Sequence, residues 1–159
     1  MNNKLLINAA ALVLFAAGTI GSGHALSDTE NCNNKLLNGH YGFTLQGTKF
    51  VPSTALQVGV AMANFDGDGS FEQIDTVTLN GEVASDFTHT PATGKYTVNP
   101  DCTGTFTIDF TDGRPPVVTN FVVVDSGAEI DTVVISAGGK EGILALGSVG
   151  KKVSFGKQH

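Results

Sequence analysis

"YTVNPDCTGTFTIDF" (Tyr96–Phe110) reads as two strands around a tight turn. In its second half Phe106, Ile108 and Phe110 fall on one side, and Thr105, Thr107, Asp109 and Thr111 on the other. That period of two is the mark of a strand with one dry face and one wet face. The turn between the halves holds Cys102, one of only two cysteines in the chain. Alternation joined by a short turn predicts antiparallel neighbours, because a parallel crossover needs a dozen or more residues.

The same grammar runs through most of the chain. "HYGFTLQG" (40–47) puts Tyr41, Phe43 and Leu45 on one face, and "ALQVGVAMANF" (55–65) does so with Leu56, Val58, Val60 and Met62. "SFEQIDTVTL" (70–79), "GKYTVN" (94–99), "VVTNFVVVD" (117–125), "EIDTVVISA" (129–137) and "GILALGSVGKKVSF" (142–155) follow, separated mostly by Gly, Asp and Asn turns. Eight strands in sequence predict an all-β fold: an eight-stranded antiparallel up-and-down β-barrel, with a β-sandwich as the alternative. Closure favours the barrel, since it removes the edges that Thr/Val-rich strands would expose. The expected inward set is Tyr41, Phe43, Leu45, Val58, Val60, Met62, Phe106, Ile108 and Phe110. Gly81 to Thr93 is the longest connection, a lid or a simple loop carrying His89 and Pro91.

The amino terminus has its own logic. "MNNK" carries one cation, "LLINAAALVLFAAGTIG" (5–21) is uncharged and apolar, and "SGHALS" (22–27) sets Gly23 and Ala25 at small-residue cleavage positions. This is the plan of a secretory signal peptide over residues 1–25, leaving one domain from Leu26 to His159. A spanning helix needs a longer apolar run, so no transmembrane segment is expected after cleavage. The expected location is secreted or periplasmic. An oxidising compartment pairs cysteines, so Cys32 and Cys102 are expected as a disulfide that staples the N-terminal segment to the hairpin tip. An outer-membrane barrel would need aromatic girdles, whereas this chain has no tryptophan and two tyrosines.

Charge limits the partners. Fifteen acidic residues against nine basic ones give a net charge of −6, with Arg114 the sole arginine, so no nucleic-acid partner is expected. "NFDGDGSFE" (64–72) spaces Asp66, Asp68, Ser70 and Glu72 like calcium ligands. The glycine that an EF-hand needs at the sixth position is Phe71, so the segment reads as a hairpin loop and no metal is expected. His40, His89 and His159 are scattered, and no serine sits in a G-x-S-x-G elbow. Asp75, Asp109 and Asp131 lie inside strand patterns; any of them turned inward would be a candidate acid or base. Arg114, in "TDGRPPVV", reads as part of a proline-stiffened turn or as a carboxylate clamp at a barrel mouth.

"LNGHYGFTLQG", "ANFDGDGSFEQIDTVTLNGEV" and "GKYTVNPDCTGTFTI" carry the motifs G-x-Y-x-F-x-x-x-G, F-D-G-x-G and Y-x-V-x-x-D-C-T-G-T. From Leu37 to Ile108 the chain resembles the secreted bacterial allene oxide cyclase-like, or calycin-like, β-barrel group. The resemblance implies an eight-stranded barrel, sometimes with a cavity for an apolar ligand; plant cyclases and dirigent proteins belong to the wider group. No catalytic residue of those enzymes maps onto this chain. Three functions are therefore in play: a barrel that binds a small apolar molecule without catalysis and without a cofactor, a cyclase-like enzyme acting by confinement, and a surface-interaction protein. Oligomeric state is left open.

Overall fold

The alternation closes on itself. The computed structural model describes residues 31–89 and 91–154, so the expected signal segment lies outside the described residues, as does His159. Nine strands follow in order: β1 (Asn38–Lys49), β2 (Ala55–Asp66), β3 (Ser70–Leu79), β4 (Glu82–Ser85), β5 (Ala92–Val98), β6 (Thr103–Asp109), β7 (Val117–Val124), β8 (Glu129–Ala137) and β9 (Leu144–Lys152). Every pairing is antiparallel. Eight strands form a ring in the order β1, β2, β3, β5, β6, β7, β8, β9, and β9 returns to β1. The sandwich alternative is thereby excluded. β4 is an extra strand paired with the last part of β3. Among the described residues no helix is long and apolar enough to cross a membrane.

β4 was not expected from the sequence. Its turn is Asn80-Gly81, both at positive φ (51° and 88°), which suits a two-residue hairpin. The Asp66–Ser70 turn is self-capped: Asp66 Oδ1 accepts the N–H groups of Asp68, Gly69 and Ser70 at 2.7, 3.0 and 2.9 Å. Those bonds hold the Asp66 carboxyl below its usual range. No trio of His, Cys, Asp or Glu converges on a metal position among the described residues.

One end of the barrel is solid. Tyr41, Phe65, Phe71, Tyr96, Phe106 and Phe121 form a chain of edge-on and stacked rings with centroids 5.0–6.5 Å apart. Glycine on the neighbouring strand makes room for three bulky rings: Gly94 lies opposite Phe71, Gly104 opposite Phe121 and Gly150 opposite Phe43. A Cβ on Gly94 or Gly104 would stand 2.2 or 2.3 Å from the facing ring. The segment before β1 plugs this end. Leu37 is fully buried, and the Tyr96 hydroxyl donates to the Leu37 carbonyl at 2.9 Å. The Tyr41 hydroxyl donates to the Gly127 carbonyl. Cys32 and Cys102 are joined as a disulfide, so the plug is tied covalently to the β5–β6 turn.

The face expected for β2 is corrected. Val58, Val60 and Met62 are 45, 44 and 38 % exposed and point outward, while Gln57, Gly59, Ala61, Ala63 and Phe65 face the interior. The cause is crowding. A Cβ on Gly59 would stand 2.5 Å from the Thr76 carbonyl oxygen and 3.1 and 3.2 Å from the side chains of Val77 and Leu45, so the inner row of β2 has no room for a side chain at that position. Tyr41, Phe43 and Phe106 are buried and inward, with Leu45, Ile108 and Phe110 continuing their rows toward the open end.

Candidate functional site

Above the aromatic floor the barrel is hollow. A chamber of about 100 Å³ is walled by Phe43, Leu45, Ala61, Phe106, Ile108 and Thr119, among others. It continues into a more open vestibule of about 260 Å³, reached past Gln57, Val77, Phe110, Arg114, Val117 and Leu144, which border both spaces. The walls are mainly aliphatic and aromatic, as in a pocket for an apolar ligand.

A charged cluster stands at the junction, and Asp75 is its hub. This residue is 3 % exposed, and it faces the chamber because it occupies an inward position of β3. Its carboxylate accepts the Ser85 hydroxyl at 2.6 Å and lies 3.3 Å from Arg114 Nη1. His89 Nε2 sits 3.1 Å from Asp75 Oδ1, 3.1 Å from its carbonyl and 3.3 Å from its N–H. A protonated Nε2 donates to either oxygen; a bare one accepts the N–H.

The topology explains why His89 lands there. β3 pairs with β5 only as far as Gln73 and with β4 only from Val77 onward. Residues 74–76 thus lack a strand on that side, and an unpaired backbone there would be costly. The imidazole fills the gap. The loop between β4 and β5 aims it: Asp86 caps the turn, accepting the Thr88 N–H at 2.9 Å. The Thr88 hydroxyl, and then that N–H, keep the Asp86 carboxyl below its usual range.

Arg114 arrives from the opposite loop. Its Nε donates to Asp112 at 2.8 Å, and its guanidinium carbon lies 3.9 Å from the centre of the Phe110 ring. Burial pushes the Asp112 carboxyl up, but the Arg114 N–H bond, its charge and its side-chain bond prevail and hold it low. Arg114 is therefore neither a bare turn residue nor an open clamp; the chain's own two carboxylates occupy it.

Of the three strand aspartates, only Asp75 turns inward; Asp109 is exposed, and Asp131 borders clefts on the outer surface. Ser85, His89 and Asp75 do not form a nucleophile relay. Such a relay has the imidazole between hydroxyl and carboxylate, whereas here the serine donates straight to the carboxylate. Ser85 and Gln57 were not singled out from the sequence. The Asn-Gly turn that marks β4 was the available signal for Ser85, and Gln57 had none once the β2 face was read in reverse.

No protein-family model matches the chain, and no curated protein matches it by sequence. Among solved structures, the S-type phycobiliprotein lyase CPES from Guillardia theta is similar at 9 % identity and a TM-score of 0.45, over 77 % of this chain and 92 % of that one. The barrel assignment stands on the strand pairing itself.

Proposed function

We propose that this protein binds a small, mainly apolar molecule inside its barrel and does not transform it. The observation that carries the reading is the hollow upper half: an apolar chamber with a solid floor and one vestibule. The Asp75 carboxylate already serves a hydroxyl, a guanidinium and an imidazole, so it acts as an anchor for the mouth rather than an open base. That weighs against the confinement cyclase. The Cys32–Cys102 bond supports placing the protein in an oxidising, secreted or periplasmic compartment.

Titration with an environment-sensitive apolar dye tests the proposal. Saturable binding is expected, and it should vanish in Val117→Trp, which blocks the junction, provided circular dichroism shows an intact barrel. Absence of saturable binding by the native protein overturns the carrier reading.

A second reading has one observation in its favour. Val60 and Val149 lie in register on either side of Thr44 on the outer face, beside exposed Val58 and Met62. Such an apolar strip suits a surface contact. Sedimentation showing a monomer at all concentrations would remove self-association from consideration.

A further inference from the structure

Among the described residues two polar side chains are buried, Asp75 and Thr119. They differ in one respect. Asp75 is bonded to Ser85, His89 and Arg114. Thr119 is 2 % exposed and walls the chamber, yet its hydroxyl makes no hydrogen bond to any described group. A buried hydroxyl in that state opposes folding, and such violations concentrate at functional sites. Gln57 and Gln73 also reach the chamber, but both are partly exposed.

The setting of Thr119 singles it out further. The β7–β8 register slips beside it: Val118 pairs with Ser136, but Thr119 pairs with Val134. Irregularities of this kind gather beside active sites, where they re-aim a side chain. Two residues before Val134 on β8 is Thr132, whose hydroxyl lies 2.6 Å from that of Ser148 on β9. Both line the same chamber. One hydroxyl of the pair donates to the other, so one proton of the pair is left over. With Thr119, this wall offers two O–H donors that the protein leaves without an acceptor.

Charge decides what they receive. Asp75 and Arg114 are the charged side chains on the chamber wall, and they stand 3.3 Å apart. An ion placed there finds its counter-charge already taken and would lose its hydration without compensation. A carbonyl oxygen is neutral and has two lone pairs, one for each donor.

Resting on the binding reading above, we infer that the ligand is a neutral molecule with a carbonyl oxygen on its apolar body, and that Thr119, with the Thr132–Ser148 pair, selects it by that oxygen. Thr119 is the specificity-determining residue, and its hydroxyl serves the ligand rather than the fold.

Displacement of the bound apolar dye by methyl pentyl ketone, and by the alkene of the same shape in which CH2 replaces the oxygen, tests this. Thr119→Val, which keeps the side-chain shape, should weaken the ketone about fivefold and leave the alkene unchanged. Thr119→Ser keeps the hydroxyl and should keep the ketone affinity. Without ligand, Thr119→Val should unfold at no lower urea concentration than the native protein, since no protein hydrogen bond is lost. A ketone that does not displace the dye, equal changes for the two probes, or a lowered midpoint in Thr119→Val overturns the inference and leaves the binding site standing. Failure of the dye itself to bind overturns the site and the inference together.

Discussion

Replacing Asp75 by Asn isolates what the mouth cluster contributes. The amide keeps the volume and one carbonyl oxygen, so the Ser85 and His89 bonds to Oδ1 have a substitute acceptor. The Oδ2 position, 3.3 Å from Arg114 Nη1, becomes an NH2 group facing a guanidinium. A hydrogen bond to a charged group contributes about 1.5–3 kcal/mol. Arg114 is 31 % exposed and keeps Asp112, so solvent screening places its loss at the low end. Asp75→Asn should therefore destabilise by about 2 kcal/mol, and Asp75→Ala, which also strands Ser85 and His89, by about 3 kcal/mol. Urea unfolding with unchanged slope is the assay. A double-mutant cycle with Arg114→Gln should show coupling of at least about 0.5 kcal/mol. A loss below about 0.5 kcal/mol for Asp75→Asn, or strict additivity with Arg114→Gln, would refute the hub.

Reduction of Cys32–Cys102 releases a bond between residues 70 apart, and by chain entropy should cost about 4 kcal/mol in the same assay. Gly104→Ala forces a methyl to within 2.3 Å of both the Phe121 ring and the Thr97 carbonyl oxygen, so a loss of about 1–3 kcal/mol is expected, against a smaller, purely backbone cost for Gly81→Asn, where φ is +88° and nothing stands within 4 Å. Burial, and then the nearby Tyr96, push the Tyr41 hydroxyl up to about 12 from an ordinary value of 10.0. A group raised on folding stabilises below its unfolded pKa, so stability should hold up to about pH 10 and fall between about 10 and 12. Ultraviolet titration of native protein and Tyr41→Phe checks this; a native tyrosinate step entirely near 10 would oppose it.

Eight of the nine strands were legible because each was long enough for its alternation to show, which the four-residue β4 was not, and the cysteine pair because a lone couple has one partner choice. Inward faces were legible only where one row was plainly larger, as in β1 with Tyr41, Phe43 and Leu45. β2 misled for a physical reason. Its larger side chains Val58, Val60 and Met62 sit outside because the inner row runs through Gly59, where the Thr76 carbonyl, Val77 and Leu45 leave no room for a side chain. Hydrophobicity along one strand does not report what the facing strands already occupy. The mouth cluster was less legible still. Asp75 lies 14 residues from His89 and 39 from Arg114, and only ring closure with a gap beside residues 74–76 brings them together.

The claim beneath the binding proposal is that the upper barrel is empty space bounded by apolar walls. Diffraction from crystals pressurised with xenon measures that directly. A bound atom between Phe43, Ile108 and Thr119, above the aromatic floor, is the predicted result. A chamber filled by its own side chains, with no xenon there, would contradict it.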